Sequence, residues 1–222
     1  MKSLFLCLAL AVMPTYGGQR GATLAPIALY TEFHQAPPAA VLGSLQAEVQ
    51  SVMAPMGLNF QWRDLSASDG RQASVEVAVI NFQGRCDVAG LTAHDSQPGP
   101  LGWTHISDGV ILPFADVDCS AVRGFVQKEL LFTRAEDREQ VFGRALGRVL
   151  AHELYHIFAN TTRHGSEGVG REFYSVHDLL STDFQFQARE LIALIKSKAH
   201  AALANASAAA SSEDPDTANH RL

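Results

Sequence analysis

Residues 152–156 read His-Glu-Leu-Tyr-His. On a helix, four residues advance about 400°, one turn and roughly 40° more, so His152 and His156 project from the same face. Both imidazoles can then reach one metal ion, and Glu153, beside the first of them, can reach a water on that ion. Two histidines and a glutamate at this spacing let a helix bind zinc while keeping a general base next to it. The flanking residues agree with a helix. Val141, Leu146, Val149, Leu150, Leu154, Ile157 and Phe158 recur with helical period, which predicts an amphipathic helix over about residues 136–159. Glu136 and Asp137 put acidic groups at its start, where the helix dipole favours them.

A catalytic zinc ion needs three protein ligands and one open position for water. The third ligand has to come from beyond the helix. Asn160 stands where the helix should end, and asparagine tolerates the left-handed turn that reverses the chain. His164 follows, twelve residues after His152, and is the first candidate for the third ligand. Glu167, Glu172, His177 and Asp178 compete with it. Glu172 would complete a His-His-Glu set from a second helix. Neutral imidazole ligands leave the zinc its charge, so a bound water becomes acidic near pH 7. Glu153 would take that proton and pass it to a leaving amine. Tyr174 is a candidate donor to the oxyanion that forms in such a reaction.

The stretch His152–Gly165, HELYHIFANTTRHG, resembles the metzincin clan of zinc metallopeptidases. The clan's longer pattern has a glycine three residues and a histidine six residues after the second histidine. Ala159 and Thr162 occupy those positions here, and His164 comes two residues later. The four methionines, Met1, Met13, Met53 and Met56, all precede the motif. The segment is similar to a divergent bacterial group of secreted metzincin-like proteins with H-E-x-x-H-x₇-H spacing. That resemblance implies a single domain with a mixed twisted sheet, an edge strand over the cleft, an active-site helix and a C-terminal helix. It also implies Zn²⁺ as cofactor, peptide or protein as substrate, and Glu153 as general base.

The rest of the chain bounds the reading. Its 222 residues are 47% hydrophobic, enough for one domain with a sizeable core. The net charge of −6 provides no basic face, so a nucleic-acid partner is not expected. Residues 1–17 read as an export signal: Lys2, an apolar run from Leu4 to Val12, then Thr15-Tyr16-Gly17. That run is too short for a stable membrane span. No membrane association is expected after its removal, and the compartment is secreted or periplasmic. Cys86 and Cys119 then remain, an even count that predicts one disulfide in an exported chain. The alternative is that Arg85-Cys86-Asp87-Val88 works like the cysteine switch of zymogens, with a thiolate in the open metal position.

The apolar patterns predict an α+β domain over residues 18–199. Pro26 to Phe33 reads as a strand, and Pro37-Pro38 opens a helix running to about Met53. Residues 58–62 and the alternation of Val75, Val77, Val79 and Phe82 read as two further strands. Residues 84–100 read as loop, with His94 and Asp95. Leu101–Ile106 and Gly109–Phe114 flank a hairpin turn at Ser107-Asp108-Gly109. Leu101–Ile106 is the expected edge strand, with Trp103 and His105 as possible lining of the cleft. The active-site helix is expected next, and then a helix over about Phe184–Lys198. From about His200 the Ala- and Ser-rich composition predicts a disordered tail. The function expected is that of a secreted zinc peptidase. The alternative is a catalytically inactive, zinc-stabilised binding or structural protein of the same fold.

Overall fold

Alternating apolar residues build a sheet with one buried face. In the computed structural model, which describes residues 24–68, 70–92 and 99–212, the chain runs through β1 (Ile27–Phe33) and helix α1 (Ala39–Met53) to β2 (Phe60–Asp64). It then forms β3 (Val77–Gln83) on the other side of β1, and the hairpin β4 (Gly102–Ser107) and β5 (Val110–Asp118). The spatial order is β2-β1-β3-β5-β4. The first four are parallel, while β4 pairs antiparallel with β5 and forms one edge. The mixed sheet and its helices make an α+β fold, and the expected edge strand is present. Asp108 and Gly109 both have positive φ, 50° and 76°, the backbone that a two-residue hairpin turn requires. The expected export segment and the loop residues His94 and Asp95 lie outside the described residues.

Leu29, Ile80, Phe82 and Val117 point from the sheet into the core and are fully buried. Each such side chain is worth roughly 1.5–3 kcal/mol when removed from water. Helices α2 (Cys119–Phe132) and α3 (Arg138–Ala159) follow β5, and α3 packs against β5, α1 and α2. The fit of α1 on α3 depends on two glycines one turn apart. A Cβ on Gly143 would lie 2.3 Å from the Val41 carbonyl oxygen, and one on Gly147 would lie 2.8 Å from that of Leu45. Only glycine allows backbones this close. Arg148, one residue further along α3, is buried. It donates to Glu48 of α1 at 2.7 Å and to the Asp178 carbonyl at 3.0 Å, with its guanidinium 4.7 Å above the Phe184 ring.

The described fold departs from the sequence expectation in three places. Helix α2 lies, against expectation, between the hairpin and the helix that carries the His152–His156 motif. Its buried stripe is Cys119, Val122, Val126 and Leu130, and Asp118 caps it by accepting from the Ala121 N–H at 2.9 Å. The helix expected over 184–198 is shorter, α5 (Ala188–Ile195), after a short α4 (Val176–Leu180). Phe184 and Phe186 precede α5 and are buried. Of the tail expected to be disordered from residue 200, residues 200–212 lie in helix α6 (Lys198–Ser212), and residues 213–222 lie outside the described residues. Alanine is the strongest helix former, so the sparse apolar content that suggested disorder also permits a helix. Leu203 is fully buried and anchors it, and the His200 ring donates to the Met56 carbonyl at 3.1 Å.

Cys86 and Cys119 form a disulfide with their Cα atoms 4.9 Å apart. It ties the end of β3 to the first residue of α2 across a separation of 33 residues that contains the whole β4–β5 hairpin. Closing a loop of that size stabilises by roughly 3–4 kcal/mol in the chain-entropy model. Among the described residues, no helix is long and apolar enough to cross a membrane.

The glycine contact is directly testable. Gly143→Ala is expected to destabilise the fold by about 1–3 kcal/mol in chemical denaturation, because the new methyl meets backbone. Gly43→Ala, on the exposed side of α1 with open space around it, is expected to stabilise by about 0.5–1 kcal/mol.

Candidate metal centre

Helix α3 carries the motif on its last two turns and ends where the sequence places its stop. Asn160 takes the left-handed conformation, φ 48° and ψ 55°. The chain then turns back, and the loop after α3 returns to the histidines three times. The Thr161 carbonyl oxygen sits 2.7 Å from His156 Nδ1, and the Val169 carbonyl oxygen sits 2.7 Å from His152 Nδ1. Between them, His164 brings its ring to 5.3 Å from that of His152 and 4.8 Å from that of His156, centroid to centroid. One nitrogen from each of the three rings lies within 4.8 Å of the others.

The two carbonyls decide the tautomers. A carbonyl can only accept, so each Nδ1 must carry the proton, and each Nε2 must be a bare lone pair. Yet the Nε2 atoms of His152 and His156 lie 3.0 Å apart, in rings that are only 7% exposed. Two acceptors facing each other at that distance repel unless a cation stands between them. The donor set therefore fits a metal ion. Nδ1–H bonded to a carbonyl and Nε2 turned toward the ion is the usual orientation of metal-bound histidine. Burial drives His152 down to about 3, with repulsion from His156 adding to it and the Val169 bond opposing it. Burial also lowers His156. Burial thus favours the neutral form of both rings, the form in which an imidazole can act as a ligand.

Glu153 lies beside them and is 4% exposed. Burial pushes its carboxyl up to about 7, against the lowering effect of the hydrogen bond that Thr104 Oγ1 donates at 2.8 Å. Thr104 belongs to the edge strand β4, which comes down on the carboxylate. A Cβ on Gly102 would lie 3.2 Å from Glu153 Oε1 and 2.9 Å from Val149 Cγ1. A carboxyl poised near neutrality is the form a general base takes.

The histidines and Glu153 open into a cleft of about 720 Å³ whose lining includes Leu101, Trp103, Thr104 and Phe125. Of the two edge-strand residues expected there, Trp103 lines the cleft. His105 instead bonds Asp116, which also accepts from Asn81 at 2.8 Å and Gln83 at 2.7 Å. Of the competing third ligands, Glu172 lines the cleft without joining the histidine cluster. Glu167 accepts from Gln187, and Asp178 caps α4 and pairs with Arg171 at 3.0 Å. His177 is exposed. The Tyr174 hydroxyl lies 2.9 Å from His152 Nδ1 and donates to the Val169 carbonyl. Its single proton is thus engaged by that carbonyl, while the residue itself lines the cleft. Cys86 lies in the disulfide, so its thiolate is not available for an open metal position.

Sequence reasoning missed Thr104 and the carbonyls of Thr161 and Val169. Backbone carbonyls leave no signature in residue types, and a threonine in an alternating strand reads as ordinary strand chemistry. The chain matches no protein-family model, no curated protein and no solved structure.

The shifted groups set a pH dependence for the metal-free protein. The unfolded chain binds protons on His152 and His156 below about 6.5, and the folded chain excludes them, so their contribution is lost as pH falls. Glu153 acts oppositely: it favours the folded state below about 4.5 and loses that effect as pH rises through about 7. Chelator-treated protein should therefore lose stability from pH 7 to pH 5 in urea titrations. Glu153→Gln should lose it more steeply, because the opposing carboxyl is gone. A slope unchanged by His152→Ala or Glu153→Gln would contradict these assignments.

Proposed function

We propose that the protein is a metzincin-like zinc hydrolase that cuts peptide bonds. The observation that carries this reading is the convergence of three imidazoles, two of them with opposed bare nitrogens, beside a buried carboxyl at the floor of an open cleft. His152, His156 and His164 would hold the ion, which leaves its fourth position free for the reaction. Zinc bound there would supply Lewis-acid activation of water and of a substrate carbonyl. Glu153, raised toward neutrality and oriented by Thr104, would accept the proton of the attacking water and return it to the leaving amine.

The substrate class is supported by the position of β4. It is an edge strand, and its Gly102 and Thr104 border Glu153. An extended peptide can pair with the open edge of such a strand and be held across the metal site. The disulfide favours an oxidising compartment, in line with the expected export. A purely structural zinc site would normally have four protein ligands. Among the described residues, the cluster that could hold the ion comprises three histidines.

Glu153→Gln should retain zinc at the wild-type stoichiometry while peptide-library cleavage falls by about 10²–10⁴-fold. Removal of zinc by a chelator should abolish cleavage, and added zinc should restore it. Undiminished cleavage by the Gln variant would overturn the general-base role. Stoichiometric zinc with no cleavage of any peptide by the wild type would favour the binding-protein alternative.

A further inference from the structure

The third ligand is the one histidine that α3 does not hold, so something else must fix it. The segment just before and at the start of α5 lies against the loop after α3. The Val169 N–H donates to the Gln185 carbonyl at 3.1 Å, and the Gln187 side chain donates to Glu167 at 2.9 Å. Arg189 Nη2 donates to the carbonyl of His164 itself at 2.7 Å. The same guanidinium lies 3.6 Å from Glu190 Oε1. Glu190 is fully buried, and neither of its carboxylate oxygens has a hydrogen-bond partner among the described residues.

A carboxylate in that state is costly, and Arg189 is the cation beside it. Its position explains two glycines. A Cβ on Gly165 would lie 2.4 Å from Glu190 Oε1, and one on Gly170 would lie 2.8 Å from Glu190 Cγ. The loop folds over the glutamate as over a post, closed by the Gly165 N–H to Gly170 carbonyl bond at 2.5 Å. His164 leads into this closure and Val169 lies within it. One element therefore sets both the third ring and the carbonyl that orients His152.

We propose that Arg189 and Glu190 are positioning residues for the metal centre: Arg189 grips the backbone of His164, and the buried Glu190 carboxylate both anchors Arg189 and seats the Gly165–Gly170 loop. This rests on the metal-centre reading above. It assigns neither residue to contact with substrate. Groups that orient metal ligands typically change metal affinity by about 10–100-fold when removed.

The test uses the full chain with zinc as the probe. Zinc affinity is measured by competition with a chromophoric chelator, and the cobalt-substituted protein is read by its visible absorption. Arg189→Ala is expected to weaken zinc binding about 10-fold or more and to alter the cobalt band. Because the buried Glu190 carboxylate loses the cation beside it, the metal-free melting temperature should fall as well, so affinity and the cobalt band are read at a temperature where the variant stays folded. Arg189→Lys should recover part of the affinity. Gly165→Ala and Glu190→Gln should weaken zinc binding as well. If the glutamate variant fails to fold, the arginine pair still decides the matter. Wild-type affinity and an unchanged cobalt band in both Arg189→Ala and Gly165→Ala would overturn the proposal, while loss of zinc in His156→Ala would leave the centre itself standing. If the wild-type protein binds no zinc, the metal-centre reading fails and this inference fails with it.

Discussion

The arrangement turns on two neutral imidazole nitrogens held 3.0 Å apart on residues that are each 7% exposed. Neither histidine can turn away, because the Thr161 and Val169 carbonyls hold the opposite edges of the rings. Neither can relieve the contact by protonation, because burial disfavours the charged form. An isolated chain has no reason to bury two lone pairs against each other. A cation between them turns the repulsion into coordination, and the same carbonyl bonds then strengthen the rings as donors. The centre is thus specified by the loop after α3 as much as by the motif on it.

That loop closes on a tightly packed frame. Gly143 and Gly147 let α1 lie close against α3, and the Arg148–Glu48 pair locks the two helices at the level of the motif. The sheet contributes its edge: β4 reaches Glu153 through Thr104 and leaves no room for a side chain at Gly102. The disulfide holds the end of β3 to the start of α2 and so encloses the hairpin that carries this edge. Glu153 is therefore gripped between a helix that brings His152 and His156 and a strand that borders the cleft.

Much of this was legible in the residues. The motif helix, its Asn160 stop, the Asp108-Gly109 turn and the Cys86–Cys119 pair each follow from a local rule with a physical cause. Three elements escaped for different reasons. The stripe of α2 is visible at Cys119, Val122, Val126 and Leu130. Polar neighbours such as Gln127 and Lys128 dilute it, however, and its cap, Asp118, is also the last residue of β5. The α6 alanines were read by their lack of apolar bulk rather than by their helix propensity. Arg189 and Glu190 look like ordinary charged residues in a first helical turn. Only the three-dimensional path of the loop puts one on the His164 carbonyl and the other in the core.

Zinc K-edge X-ray absorption on the purified, zinc-loaded protein tests the central claim most directly. The account predicts three imidazole nitrogens at about 2.0–2.1 Å with one further light ligand, and the loss of one imidazole in His164→Ala. A spectrum with two imidazoles or fewer in the wild type, or one that His164→Ala leaves unchanged, would contradict it.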